Sequence, residues 1–301
     1  MEEWNDFVVH SKNGTFLFDR RYMDYHHDRF HDHSLLFYDE KGLYALLPGN
    51  ASGSTFITHE GLTYGGLVMG GRATANDVCG LFRQINSYLR DSGFERVIYK
   101  AVPWIYHRLP SEEDLYALYK ICDAQLTGRD IASVVKPSDP VAWRRDRRYG
   151  AHKAFRDGIV VKKSDDFATF WDVLIGNLRT KYNAAPVHTL EEITLLKNLF
   201  PDNIHLYVAL LNGEMLGGTV IYDCGAIAHA QYISATKQGK HLHAIDSIYM
   251  QLLQMDFKDK QFVDFGKSTE EHGAVLNETL IYQKEGFGGR GVCYDTYAWS
   301  L

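Results

Sequence analysis

The sequence is short of the features that usually reveal a function outright. Its four cysteines, Cys79, Cys122, Cys224 and Cys293, lie far apart in 301 residues. With no C-x-x-C pair, a zinc ribbon or a thioredoxin-type redox site is excluded, and scattered thiols fit a reducing, cytoplasmic compartment. No apolar run approaches the ~20 residues that a membrane helix needs. The first residues, Met-Glu-Glu-Trp-Asn-Asp, are acidic and lack the apolar stretch of a signal peptide. Positive charge is not in excess either: the formal net charge is -6, so nothing global points to nucleic acid.

What is present is a soluble globular composition, 45% hydrophobic and 23% charged, long enough for two domains. Aromatics are abundant, with 19 Tyr and 16 Phe. Charge is uneven: Arg144, Arg145, Arg147, Arg148, Lys153, Arg156, Lys162 and Lys163 stand close together against only Asp146 and Asp157. Toward the end, Gly286-Phe-Gly-Gly-Arg-Gly291 matches the dinucleotide pattern G-x-G-x-x-G. That pattern works only between a strand and a following helix, whose N-terminus holds the pyrophosphate. Here a helix over 273–284 precedes the glycines and a strand over 290–299 follows, so a helix cap and a close backbone approach are expected instead.

Periodicity gives the first half as short helices over 2–12 and 19–28, a hairpin of 35–38 and 43–47, and strands 55–57 and 62–69. Helix 74–92, strand 97–102, helix 111–122 and strand 131–135 follow. A basic helix over 141–157 forms the boundary. The second half reads as strand 159–162, helices 165–182 and 189–200, strands 205–211, 215–222 and 226–234, helix 241–257, strand 261–265, helix 273–284 and strand 290–299. Thr189-x-x-Glu192 is a capping box, and Asn212-Gly213 is a hairpin turn. An antiparallel meander followed by α/β crossovers makes a mixed sheet that splits where antiparallel pairing gives way to parallel. The expected class is α/β with mixed sheets, as two copies of one fold: 1–140, the basic connecting helix 141–157, and 158–301.

That order resembles the GNAT acyltransferase fold. Two units in tandem resemble its FemAB-like branch, which includes aminoacyl-tRNA-dependent peptidoglycan transferases. Three stretches carry the resemblance: Arg147-Arg-Tyr-Gly-Ala-His-Lys-Ala-Phe-Arg-Asp-Gly158, the D-F-G-x-S/T turn in Val263-Asp-Phe-Gly-Lys-Ser-Thr269, and Gln283-Lys-Glu-Gly-Phe-Gly-Gly289. Gln283 departs from the aromatic that the family has before its lysine. The chain is also similar to such proteins encoded among surface-polysaccharide genes of Bacteroidetes-type bacteria.

The resemblance implies transfer of an acyl group, most simply acetyl from acetyl-CoA or another acyl-CoA, to an amine of a sugar or related cell-envelope precursor. Nucleotide-linked or lipid-linked sugars are acceptors of this kind. Transfer from aminoacyl-tRNA and a non-catalytic GNAT-shaped binding module are the alternatives. The donor pyrophosphate would lie on the loop Ser234-Ala-Thr-Lys-Gln-Gly-Lys-His241, with Ser234, Lys237, Gly239, Lys240 and His241 as contacts. The motif there is incomplete, since Thr236 and His241 occupy its first and last places.

Direct attack needs a base, an oxyanion donor and a proton for the leaving group. Lys284 is the implied oxyanion stabiliser, or simply a cation at a helix C-terminus. His229, Asp264 and Glu270 are rival bases. His229 and Gln231 alternate on one strand and so share a face. Arg147, Arg148 and Lys153 suit an anionic acceptor or tRNA phosphate, while Tyr64, Gly65, Gly66 and Lys100 are candidate acceptor contacts in the first half. His26, His27, Asp28, His31, Asp32 and His33 resemble a metal cluster in composition, but the chemistry calls for no metal and no metal site is expected.

Overall fold

The structure, a computed structural model, describes residues 1–182 and 184–301, with side chains for all of these except 181 and 182. The chain forms two compact units, and they run across the expected linear bounds. The first contains Met1–Ile131, Thr269–Leu276 and Val292–Leu301; the second contains Ala132–Ser268 and Asn277–Gly291. The basic helix therefore belongs to the second unit, and the last ten residues return to the first.

In the first unit the strand Arg96–Lys100 pairs antiparallel with Arg290–Ser300 and parallel with Thr55–Ile57. The hairpin Leu35–Asp39 and Gly42–Leu47 forms as its sequence predicts, and Val68–Met69 pairs with it. The helix Ala75–Asp91 forms because Val78, Leu81, Phe82, Ile85 and Leu89 recur at three- and four-residue steps and make one buried stripe. Thr74 starts it by accepting a hydrogen bond from the Asp77 amide. The stripe packs into a core with Tyr99, Leu118 and Trp299, and each such buried side chain contributes about 1.5–3 kcal/mol.

The second unit is the meander its sequence implies. Val160–Ser164, Ile204–Leu211, Glu214–Asp223 and Ile227–Ala235 are antiparallel neighbours in that order. Ile227–Ala235 then pairs parallel with Phe262–Lys267. The turn Asn212-Gly213 has both residues at positive φ, 51° and 85°, as a tight hairpin requires. Thr189 and Glu192 form the reciprocal capping box.

Several elements differ from expectation: the helix over 19–28 is only Arg20–Met23 followed by a 3-10 turn at Asp24–His26. Only Val68–Met69 of the strand over 62–69 is formed; residues 61–64 turn and bend, and Gly66 before the strand is at positive φ, 88°. The strand over 131–135 is longer, Gln125–Val135. The helix over 241–257 is three pieces, Lys237–His241, Ala244–Gln251 and a π-turn at Leu252–Asp256, broken where His243 is left-handed at φ 61°. The last helix is Glu278–Glu285, not 273–284, because Glu271, His272 and Gly273 are all at positive φ and Asn277 caps the true start. After it comes a strand, so the glycine cluster has the helix-then-strand context read from the sequence.

Candidate functional site

Parallel pairing between Ile227–Ala235 and Phe262–Lys267 has three registered pairs and reaches its last at His229 and Asp264. Both strands run on beyond that pair, so the sheet opens there. Two of the three residues named as rival bases are one device: His229 Nδ1 lies 3.0 Å from Asp264 Oδ2. Asp264 is fully buried and its other oxygen accepts the Gly266 amide at 2.7 Å. A buried carboxylate on Nδ1 orients the ring and leaves Nε2 as the working nitrogen. That nitrogen stands over Gly266, where a Cβ would be 3.9 Å from it.

Lys284 approaches the same glycine. Its Nζ donates to the carbonyls of Gly266 at 2.8 Å and Lys267 at 2.6 Å. The side chain is 5% exposed. Burial pushes its pKa down to about 8, with the Asp264 charge working in the opposite direction. Lys284 is thus an ammonium with two carbonyl acceptors, more than a solvated helix-end cation. His229, Asp264 and Lys284 converge on Gly266, whose φ of 72° suits a residue without a side chain.

Gln231 sits elsewhere in the pleat than expected. Val220 pairs with Tyr232 and Ile221 with Ala230, so Gln231 is the extra residue of a β-bulge. The simple alternation that places it on the face of His229 is interrupted there. Glu270 lies exposed on a short strand of the first unit, not in the unit that holds Lys284.

The loop from Ser234 to His241 is largely occupied by its own contacts. The Gly239 amide donates to the capping Thr236 Oγ1 at 2.9 Å. A Cβ on Gly239 would lie 2.0 Å from the Leu216 carbonyl, so this glycine serves close packing of the short helix on the neighbouring strand. Asn177 donates to Ser234 Oγ at 2.8 Å and accepts Lys240 Nζ at 2.5 Å. Lys237 and His241 are exposed.

On the helix Arg145–Arg156, Arg147 points inward and pairs with the buried Asp246 at 3.0 Å, and Lys153 pairs with Asp157 at 2.6 Å. Arg148 is exposed. His243 Nδ1 also binds Asp246, at 2.9 Å. Sequence reading missed this Arg147–Asp246–His243 cluster. Its one local signal is Gly150 in mid-helix, where a Cβ would lie 2.3 Å from the His243 ring. Also missed were the Ser133 and Ser268 hydroxyls, buried and without hydrogen-bond partners in the second unit.

In the first unit Tyr64 is core, its hydroxyl 3.0 Å from that of Thr15. Gly65 and Gly66 allow close approach of the Thr58 carbonyl and the Tyr99 hydroxyl, and Lys100 Nζ donates to the carbonyls of Glu60 and Leu62. His26 stacks on Tyr25 with ring centroids 4.2 Å apart. Among the described residues no three of His, Cys, Asp and Glu are placed to hold a metal ion, the 26–33 stretch included.

Comparison of the coordinates with solved structures decides the architecture. The crystal structure of FemX superposes with a TM-score of 0.73 at 9% identity, over 100% of this chain and 96% of FemX. The fold is that of FemX. L-PGS from Bacillus licheniformis matches with a TM-score of 0.62 at 12% identity, over 99% of this chain and 91% of that one. A conserved protein of unknown function from Bacteroides thetaiotaomicron matches with 0.65 at 10% identity, over 100% and 96%. No protein-family model matches the sequence, and no curated protein matches it either. The α/β class and the likeness to the FemAB-like, GNAT-type fold that the sequence suggested both hold.

Proposed function

We propose that the second unit carries an acyl- or aminoacyl-transfer site centred on Gly266. The observation that carries this reading is the meeting of the His229–Asp264 pair and Lys284 where the parallel strands part. An acyl carbonyl entering the opening would meet a cation on one side and an oriented imidazole on the other. The acceptor amine attacks the carbonyl carbon, and His229 Nε2 takes the amine proton. The carbon–nitrogen bond forms, the oxyanion gains the Lys284 charge, and collapse breaks the carbon–sulfur bond of a thioester. The departing thiolate takes up the proton that the imidazole holds. No covalent enzyme intermediate is needed.

Under this reading the donor is an acyl-CoA, most simply acetyl-CoA. The acceptor is an amine on a sugar or related cell-envelope precursor, nucleotide- or lipid-linked, handled in the cytoplasm. A second donor, aminoacyl-tRNA, is favoured by one observation: the Gly239 amide, Ser234 and Lys240 are engaged within the unit. A pyrophosphate at that loop would have to displace those contacts.

A thermal-shift panel with acetyl-CoA, longer acyl-CoA esters, aminoacyl-tRNA and nucleotide sugars tests the choice, since a ligand that binds only the native state raises its melting temperature. A rise with acyl-CoA supports the first donor. A rise with aminoacyl-tRNA and none with CoA esters supports the second. No response to any of them, with His229→Asn and Lys284→Met unchanged in every assay, overturns the proposal.

A further inference from the structure

The outward face of the helix Arg145–Arg156 carries a row of cations that the transfer site does not use. Residues three and four apart share a helix face. Arg145, Arg148, His152 and Arg156 follow that spacing and are all exposed, while Gly150, Ala151 and Ala154 form the buried face. Neighbouring cations are neutralised: Arg144 by Asp146, Arg147 by Asp246 and Lys153 by Asp157. Among the described residues, Arg145 and Arg148 have no such ion pair, and Arg156 shares Asp157 with Lys153 only through longer-range attraction. The stretch 143–163 has eight basic residues against two acidic ones, in a chain whose net charge is -6. The excess is therefore local, and it opposes the sign of the rest of the protein.

Exposed apolar groups accompany the row. Tyr149 is 59% exposed on the helix itself, with the Arg156 guanidinium 5.9 Å above its ring. Val141, just before the helix, is 41% exposed. We propose that this face docks the protein reversibly on an anionic lipid membrane. A headgroup layer offers negative charge to the arginines and an interfacial apolar zone to Tyr149 and the adjoining Val141 at the same time. A nucleic acid would also take the arginines, through its phosphates, but would give the aliphatic Val141 no partner. Each basic side chain near an anionic surface contributes about fivefold in affinity, so the three arginines account for about a hundredfold. The docking does not depend on the transfer chemistry proposed above, and vesicle binding is measured without turnover.

The test is co-flotation of the full chain with vesicles of phosphatidylcholine alone and of phosphatidylcholine with phosphatidylglycerol, at low salt and at about 0.5 M salt, where charge attraction is screened. Flotation is expected with phosphatidylglycerol vesicles only, and lost at high salt. R145E/R148E/R156E should bind about a hundredfold more weakly, or worse, while keeping the circular-dichroism spectrum and melting temperature of the wild type. R83E/R90E/K120E alters exposed residues of the first unit and changes net charge by the same amount, so it should float as the wild type does. Absence of flotation at low salt overturns the proposal. So does equal loss in the two triple variants, and so does binding to poly(U) by the same arginines without binding to vesicles.

Discussion

Lys284 is the residue in which burial and charge act against each other most directly. Burial lowers its pKa to about 8 while the buried Asp264 nearby favours the ammonium. If the ammonium stabilises the oxyanion, turnover falls as pH rises through about 8, and a pH–rate profile should show that limb. Lys284→Met should remove the limb and reduce kcat by two to three orders of magnitude, the usual cost of losing one oxyanion donor. An unchanged profile would leave Lys284 a clamp on the Gly266 and Lys267 carbonyls. Its residue type and its place near a helix end were readable beforehand. Its burial was not, because that depends on the turn at Gly266 folding over it.

At the scale of elements, helix and strand identity followed from local pattern, and element ends followed from particular contacts. The helix Ala75–Asp91 has an apolar stripe that leaves one solution. The break at His243 has no local signal of that kind: the histidine is left-handed and its ring is held by Asp246. Two glycine replacements separate packing from ligand binding. Gly239→Ala should destabilise the second unit by more than about 2 kcal/mol, through the Leu216 carbonyl 2.0 Å from the new Cβ. Chemical denaturation without any ligand measures it, and wild-type stability would return Gly239 to a purely ligand-binding role. Gly150→Ala would gain up to about 1 kcal/mol from helix propensity alone. A net loss is expected instead, since the new methyl meets the His243 ring and the Asp246 carboxylate.

For the molecule as a whole, Asp114 in the first unit and Lys284 in the second each contribute to stability against pH. Asp114 is buried in the first unit, and burial lifts its pKa to about 6. Its folded pKa lies above the unfolded value, so the native state binds more protons and stability declines as pH rises from about 4 to about 6. Lys284 has a folded pKa below its unfolded value, so stability increases as pH rises from about 8 to about 10.5. Each window is worth about 3 kcal/mol. His59, which burial holds down to about 3, works in the opposite direction across the acid window, so both contributions are read as differences from the wild type in denaturation across pH 4–10.5. Asp114→Asn should gain stability relative to the wild type as pH rises from about 4 to about 6, and Lys284→Met should lose it from about 8 to about 10.5; differences that do not vary with pH would assign the slopes to other groups. The sequence by itself determined the α/β class, the order of the meander, the capping box at Thr189 and the Asn212-Gly213 turn, because periodicity, caps and turn chemistry act over a few residues. Only the tertiary structure decided that His229 and Asp264 are one pair, that Gln231 is the bulge, that Gly65, Gly66 and Gly239 accommodate neighbouring protein atoms, and that the chain's end returns to the first unit. Those outcomes rest on contacts between residues distant in sequence, where register and close approach are set by packing that no local window contains.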